Sequence, residues 1–256
     1  MKTTTKCPKC GFAANTGFGE CPKCGIIVGK FMSQKLQDKE NESKADKAKK
    51  SALQHLAGAN ALTVRQQKEW GEILTGFETR NKYEVTDHWG NPVFQVEEEG
   101  GGFAAVLTRF LLTALRPFTM HLFSPDGNGL LLFKRPFRFF FHQLDICKAN
   151  GSPLGTVKRR FSILRRRYSV LDRHGREIFQ LFGPILHPWT FLIKAGEQEL
   201  GKIVKKWSGL VKEAVTDADN FGINFPQGID LGKKAVLLGA VFLIDFVHFE
   251  NKGKGN

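Results

Sequence analysis

The run from Ala235 to Phe249 constrains the fold of this 256-residue chain more than any other feature. It is apolar on nearly every helical face, and only Asp245 and His248 interrupt it. A helix without a broad polar face must be buried, either in protein or in lipid. About 15 residues at about 1.5 Å each span roughly 22 Å, less than the roughly 30 Å of a bilayer core. The sequence therefore favours a helix enclosed by protein, and leaves a short membrane span as the alternative.

The sequence from residue 81 onward is typical of an all-β domain. Short β-rich runs alternate with turn signals such as those at 126–129 and 150–153. About ten or more strands at spacings of roughly 8–12 residues predict an antiparallel barrel or sandwich. A barrel of this many strands is wide enough to enclose a helix. We therefore predict a mainly β fold, a closed sheet wrapped around the apolar run.

We divide the chain into three segments. Residues 1–29 are predicted to form a four-cysteine zinc ribbon. Residues 30–68, rich in Lys, Glu, Gln and Ala, are predicted to be a charged linker that is either helical or disordered. Residues 69–251 are predicted to form the β-barrel domain, with its central helix at about 233–250.

The N-terminal segment carries a strong metal signal. Two identical CPKCG motifs place four cysteines as two CxxC pairs: Cys7, Cys10, Cys21 and Cys24. Two such turns bring four thiolates around one ion, which is the usual arrangement of a structural zinc site. Four thiolates fill the coordination sphere, so we expect a structural or docking module and a reducing, cytosolic compartment.

Basic residues are concentrated in one part of the barrel sequence. The chain carries a net charge of +13, and the segment from Lys134 to Arg176 contains twelve Lys and Arg residues but only two aspartates. This density favours an anionic partner, namely lipid headgroups, nucleic acid or phosphates, with a solvated basic face as the alternative.

Targeting and catalytic signals are not visible in the sequence. Residues 1–6 contain no apolar secretory segment, and Lys2 stands where N-myristoylation needs a glycine. We find no Ser/His/Asp or Cys/His arrangement and no phosphate-binding glycine loop. We therefore predict that the protein is not an enzyme.

Four stretches resemble the phospholipid scramblase family: Asn81–Glu84, Arg116–Thr119, Lys206–Pro226 and Lys234–Phe246. The likeness runs from about residue 81 to residue 250 and does not include the zinc ribbon. It implies a Tubby-like fold, with twelve strands closed around a central hydrophobic helix. It also implies calcium-stimulated movement of phospholipids between the two leaflets of a membrane.

The resemblance further implies a calcium loop at residues 217–228. Its candidate ligands here are Asp217, Asp219, Asn220 and Asp230. Phe221 and Gly228 occupy places where such a loop carries oxygen ligands, so we expect millimolar affinity at best. The alternative is that these side chains form local turns ahead of the central helix.

Animal members of the family carry lipid-modified cysteine clusters that are missing from this chain. We expect apolar and basic side chains to replace them in binding an anionic membrane. The candidates are Phe103, Phe110, Leu111, Arg138, Phe139, Phe140, Arg159, Arg160, Arg165, Arg166 and Arg167. The alternative is that residues 103–115 form a helix packed on the barrel.

The leading prediction is a scramblase-family protein that associates peripherally with the cytoplasmic face of anionic membranes and moves phospholipid across them. The first alternative is a lipid- or phosphoinositide-binding adaptor that moves no lipid. The second is a nucleic-acid-binding protein that uses the zinc ribbon and an arginine cluster formed by Arg159, Arg160, Arg165, Arg166 and Arg167. Insertion of residues 235–249 as a single membrane span is less favoured. The zinc ribbon offers a surface for a protein partner.

Overall fold

A computed structural model describes residues 5–67, 81–99, 117–137, 141–162, 165–205 and 220–249 of the chain. The chain divides into two compact units, Met1–Lys50 and Ser51–Asn256. The first contains the two cysteine pairs and the second contains a β-barrel.

The first unit combines two cysteine-containing turns with a small hairpin and most of a long helix. Strand β1 (Thr5–Lys6) pairs antiparallel with β2 (Ala13–Ala14). Helix α1 (Val28–Gly58) begins directly after the second cysteine pair and extends into the second unit. Its composition of Lys, Glu, Gln and Ala favours a helix even without a broad apolar face. The predicted linker is therefore helical as far as Gly58.

Twelve antiparallel strands close into a barrel in the second unit, and they follow one another around it in chain order. They are β3 (Ala61–Gln67), β4 (Lys82–Thr86), β5 (Pro92–Glu98), β6 (Phe118–Phe123), β7 (Gly129–Arg135), β8 (Gln143–Lys148), β9 (Pro153–Arg160), β10 (Arg166–Asp172), β11 (Glu177–Gly183), β12 (Thr190–Ala195), β13 (Gln198–Lys205) and β14 (Asn220–Asn224).

Alternation along the strands points one set of side chains into the barrel. In β6, Phe118, Met120 and Leu122 are buried, and the residues between them are partly exposed. Successive side chains of a strand point to opposite faces, so a period of two produces one apolar interior face per strand. The sheet has no free edge because β14 pairs with β3.

The two ends of the barrel differ in the length of their connections. At the short-turn end, tight hairpins such as Asp87–Asn91 join the strands; Asp87 Oδ1 accepts hydrogen bonds of 2.9 Å from the backbone N–H groups of Trp89 and Asn91. Gly90 adopts a φ of 89°, which a residue with a side chain rarely does. At the other end, here the long-loop end, the connections are residues 68–81, 99–117, 136–142, 161–165, 184–189 and 206–219.

Helix α2 (Leu231–His248) fills the barrel. Residues 234–246 are buried without interruption, which the all-round apolar sequence requires. Gly239 lets the helix approach the sheet closely, because a Cβ atom there would lie 2.7 Å from Ile146 Cγ1. The helix starts at the short-turn end, where β14 finishes, and runs towards the long-loop end.

The predicted fold class is confirmed: a mainly β, twelve-stranded closed antiparallel barrel with the C-terminal helix packed on its strands. One boundary differs from the predicted domain limits. Strand β3 belongs to the barrel although it lies in the segment predicted as linker. Its sequence offers only Leu62 and Val64 as buried apolar residues, so its strand pattern is weak.

Candidate functional site

The four predicted cysteine ligands lie together in the first unit. All four Sγ atoms lie within 4.8 Å of one another, and the Cys7–Cys24 and Cys10–Cys21 Sγ pairs are each 3.7 Å apart. A tetrahedral ion with metal–sulfur bonds of about 2.3 Å places its sulfurs about 3.8 Å apart. The four thiols therefore fit one tetrahedrally bound metal ion.

Local backbone geometry positions these thiols. Cys7 O accepts a hydrogen bond from Gly11 N, and Cys21 O accepts one from Gly25 N. The two CPKCG motifs therefore form two turns of the same type. Gly11 and Gly25 have φ angles of 74° and 70°. Burial acts against the Cys7 thiolate, but hydrogen bonds from backbone N–H groups outweigh it and lower the Cys7 pKa. A lowered pKa favours the deprotonated, metal-binding form of Cys7, whereas burial and the neighbouring cysteine sulfurs raise the pKa of Cys24 to about 12. The geometry of the four sulfurs, rather than these pKa values, supports the metal site.

The proposed calcium ligands are not all brought together. Asn220 begins β14 at the long-loop end, whereas Asp230 follows the same strand at the short-turn end. Asp230 is the N-cap of α2: its Oδ1 accepts a 2.9 Å hydrogen bond from Lys233 N, and its Oδ2 lies 3.1 Å from Lys233 Nζ. The length of β14 separates it from Asn220, whose buried Oδ1 has no hydrogen-bond partner among the described residues. Asp230 therefore cannot share an ion with Asn220.

The arginine cluster lies at the long-loop end of the barrel. Arg159 and Arg160 end β9, and Arg166 and Arg167 begin β10, the neighbouring strand. Arg165 Cζ lies 5.5 Å and Arg167 Cζ 5.8 Å from the centre of the Phe182 ring. Stacking against an aromatic ring holds a guanidinium without neutralising it.

Exposed apolar side chains occupy the loops beside these arginines. Phe161 is 79% exposed in the β9–β10 loop, and Ile185 and Leu186 are 61% and 87% exposed in the β11–β12 loop. We name these three side chains the apolar tip. Arg166, the first residue of β10, holds the β11–β12 loop because its guanidinium donates to the carbonyl oxygens of Pro184, His187 and Pro188. Phe137 and Phe141, both near half-exposed, lie in the connection 136–142 at the same end.

Two further cations are buried at the same end, and sequence reasoning did not single them out. Arg135 Cζ lies 4.2 Å from the Phe246 ring centre, and Lys205 Nζ lies 3.9 Å from that of Phe249. Arg135 also contacts His142, with 2.6 Å between Nη2 and Nδ1. Burial, together with the charges of Arg135 and Arg159, lowers the pKa of His142 to about 4. The imidazole is therefore neutral and accepts through Nδ1.

Several predicted site residues lie outside the described residues. They are Phe103, Phe110, Leu111, Arg138, Phe139, Phe140, Asp217 and Asp219. The apolar tip was missed from sequence, since Ile185 and Leu186 resemble strand residues. The flanking Pro184 and Pro188 are the signal that marks them as loop residues.

Within the described ranges, no helix is long and apolar enough to span a membrane. Helix α2 is the apolar helix of the barrel interior, and its carboxylate is accommodated there: Tyr83 Oη donates a 2.9 Å hydrogen bond to Asp245 Oδ2. A side chain of the surrounding sheet thus supplies the hydrogen-bond partner that a buried carboxylate needs.

The family model described as Scramblase matches residues 41–251, which include the whole barrel and α2. The chain belongs to the scramblase family. It is 36% identical over 215 residues to phospholipid scramblase 1 of Mus musculus, with 78% of this chain and 64% of that protein covered. With phospholipid scramblase 1 of Homo sapiens it shares 33% identity, covering 78% of this chain and 66% of that protein. This scramblase-family chain thus spans less than two thirds of the length of either relative.

A solved structure of an Arabidopsis thaliana protein is similar at 16% sequence identity and a TM-score of 0.42, covering 74% of this chain and 94% of that one. The similarity is too low to support any functional inference. The family match ends at residue 251 and begins within α1, so the four-cysteine site lies outside it.

Proposed function

We propose that this scramblase-family protein binds anionic phospholipid membranes through the long-loop end of its barrel, at the cytoplasmic face, and takes part in moving phospholipid between leaflets. The observation that carries the proposal is the placement of the apolar tip and the arginine cluster at one end of the barrel. The names of the relatives, phospholipid scramblases, support the lipid part of the proposal.

The chemistry of this end is complementary to a lipid surface. Apolar side chains that project from loops can enter the boundary between headgroups and acyl chains, and arginines beside them can contact lipid phosphates. Each inserted Phe, Ile or Leu supplies roughly 1.5–3 kcal/mol, and each arginine near an anionic surface about 1 kcal/mol. Three apolar side chains and several arginines suffice for reversible binding. The arginines give the binding its dependence on charge and salt.

The filled interior of the barrel favours a second candidate, a lipid-binding protein that moves no lipid by itself. Residues of α2 such as Leu237, Val241 and Ile244 are fully buried, so the interior offers no path for a headgroup. Any lipid movement must therefore occur at the outside of the barrel. The two candidates share the membrane-binding surface and differ in whether transbilayer movement follows.

We further propose that the metal of the four-cysteine site is zinc and that its role is structural. Cys7, Cys10, Cys21 and Cys24 would hold it, and four thiolates leave no coordination position for a reacting group. The described residues give no support to a bond-breaking reaction, and we propose that the protein is not an enzyme. The ribbon is then free to serve as a docking surface for a protein partner.

The experiment compares sedimentation with vesicles of phosphatidylcholine alone and with added phosphatidylserine. The variant Phe161→Ser/Leu186→Ser is set against Trp89→Ser, which removes a 74% exposed aromatic residue at the short-turn end. We expect wild type and Trp89→Ser to bind phosphatidylserine vesicles and to be released by salt, and the double variant to bind about tenfold or more weakly. Equal binding by all three proteins would exclude the apolar tip as the membrane-binding surface.

A dye-reduction assay on reconstituted vesicles then separates the two candidates. Protection of fluorescent lipid in the inner leaflet is lost when the protein scrambles lipid and is kept when it only binds. Binding to DNA that persists in excess anionic vesicles would instead favour the nucleic-acid alternative.

A further inference from the structure

A cleft of about 270 Å³ opens at the long-loop end between the β9–β10 and β11–β12 loops. Its polar lining consists of Arg159, Ser162, Arg165 and Arg166. Gly183 lies opposite Arg166 across the paired strands, and a Cβ atom there would come within 3.1 Å of Arg166 Nε. The missing side chain therefore leaves room for the guanidinium. The cleft is slightly smaller than the roughly 300–1,000 Å³ of drug-sized ligand sites.

The positive charge in this cleft is not neutralised by the described part of the chain. Arg159 and Arg165 form no ion pair with any described carboxylate, and Arg166 contacts only neutral carbonyl oxygens and an aromatic ring. Elsewhere on the barrel surface the pattern is different: Arg160 pairs with Glu177 at 3.5 Å and Arg176 with Asp172 at 2.7 Å.

The guanidinium of Arg166 is held in place before any ligand arrives. Three loop carbonyls accept its hydrogen bonds, and its Cζ lies 4.6 Å from the Phe191 ring centre. Three of its five N–H donors are used, which leaves two. Ser162 Oγ accepts from Arg165 N at 3.2 Å, so the hydroxyl proton is available to donate.

We propose that this cleft binds a phosphate monoester group, with Arg159, Arg165, Arg166 and the Ser162 hydroxyl as its donors. A phosphate monoester carries nearly two negative charges and three terminal oxygens at neutral pH, whereas a phosphodiester carries one charge. Planar guanidinium forks match phosphate oxygens in geometry and make strong charge-assisted bonds. Three arginines without a carboxylate therefore select the doubly charged group.

Two sources supply this chemistry, a phosphorylated lipid headgroup and soluble phosphate. Ile185 of the apolar tip lines the cleft, and Phe161 directly precedes the cleft residue Ser162 in the chain. A headgroup at a membrane surface is therefore within reach of the cleft when the tip inserts. For the lipid source the inference rests on the proposed membrane binding, and for the soluble source it is independent of it.

The vesicle arm compares phosphatidylcholine vesicles that contain phosphatidylinositol monophosphate with vesicles of equal surface charge that contain phosphatidylserine. The cleft variants are Arg159→Gln and Arg165→Gln, whose side chains make no hydrogen bond or ion pair that the fold needs. The charge-matched control is Arg173→Gln, an exposed arginine in the β10–β11 turn at the short-turn end. Circular dichroism and thermal unfolding verify that all three variants are folded.

We expect wild type and Arg173→Gln to bind the monophosphate vesicles about tenfold more tightly than the phosphatidylserine vesicles, and each cleft variant to lose that preference. In the soluble arm, inorganic phosphate and sulfate are titrated separately by calorimetry. We expect inorganic phosphate to bind the wild type, and both cleft variants to abolish that binding. Binding in the soluble arm without a vesicle preference assigns the site to soluble phosphate.

The proposal is overturned if no preference for the monophosphate exists at equal charge and inorganic phosphate does not bind. It is also overturned if the cleft variants behave like Arg173→Gln in both arms. Neither result would contradict the proposed membrane function, because that function is tested separately by binding to phosphatidylserine vesicles. Conversely, binding of inorganic phosphate without binding to any vesicle would support the cleft as a phosphate site and would refute the proposed membrane function.

Discussion

Tyr83 of β4 and Asp245 of α2 stand 162 positions apart in the chain, yet the tyrosine hydroxyl donates a 2.9 Å hydrogen bond to the aspartate carboxylate inside the barrel. Both residues are buried, with 3% and 2% exposure. The Tyr83 ring also packs against Phe242, one helical turn before Asp245, with ring centres 5.1 Å apart. This side chain therefore fixes both the rotation and the depth of the helix in the barrel.

We expect Tyr83→Phe to lower the free energy of unfolding by about 1–3 kcal/mol, because a buried carboxylate loses a donor while the packing of the ring is kept. Urea denaturation measures the change. A double-mutant cycle with Asp245→Asn provides the control, with a coupling energy of roughly 0.5–3 kcal/mol. Additive effects of the two changes would mean that the bond does not contribute to stability.

His142 should make the barrel less stable at acidic pH. The pKa of this imidazole is about 6.5 in the unfolded chain and about 4 in the fold, where burial and the charges of Arg135 and Arg159 oppose protonation. The unfolded state therefore binds more protons between these values, so stability is complete above pH 6.5 and falls as the pH drops towards 4. His142→Asn keeps an acceptor for Arg135 and does not titrate. The difference in urea midpoint between wild type and variant should change over this interval and stay constant above it.

The four-cysteine site should bind one metal ion per chain, and its loss should unfold the first unit. Apparent binding free energies of about 10–16 kcal/mol for structural zinc explain why so small a unit can depend on its metal. Elemental analysis and circular dichroism after chelation measure the two effects. Cys10→Ser should lose the metal, whereas Cys147→Ser, which alters the remaining cysteine on a barrel strand, should retain it. Retention of the metal by Cys10→Ser would contradict the assignment.

Asp230→Ala should destabilise the barrel by about 0.5–2 kcal/mol, since helix α2 loses its N-cap. The same substitution should leave any calcium response of the protein unchanged, because Asp230 lies at the opposite end of β14 from Asn220. Thermal unfolding tests the first effect, and calcium titration of vesicle binding tests the second. A calcium response that disappears in Asp230→Ala would require an ion site that includes the cap.

The barrel was predictable because its evidence is local and repeated. Alternating apolar residues and short turns recur from strand to strand, and the length of the apolar run excludes most other positions for α2. Strand β3 escaped prediction since Leu62 and Val64 are too few to distinguish a strand from a helical linker. The Tyr83–Asp245 hydrogen bond depends on the rotation and depth of α2 inside the barrel. Contacts between residues far apart in the chain set this position, so no local sequence pattern predicts it.

The candidate sites divide along the same line. The four cysteines and the arginine cluster are close in sequence, so their proximity in space followed from the motif or from two neighbouring strands. The apolar tip was not found, because Ile185 and Leu186 become significant only when their loop is placed beside the β9–β10 loop. Asp230 shows the opposite case: the resemblance to a calcium loop grouped it with Asn220, but strand β14 separates the two residues.

Helix α2 follows all twelve strands in the chain, and this order has a consequence for biosynthesis. The inner face of every strand is complementary to a segment that leaves the ribosome after them. Until that segment arrives, residues such as Phe133, Tyr168 and Ile193 have no partner for their buried faces. A nascent chain of this protein therefore exposes the apolar inner faces of its strands until α2 is translated, and such exposed faces favour aggregation during synthesis.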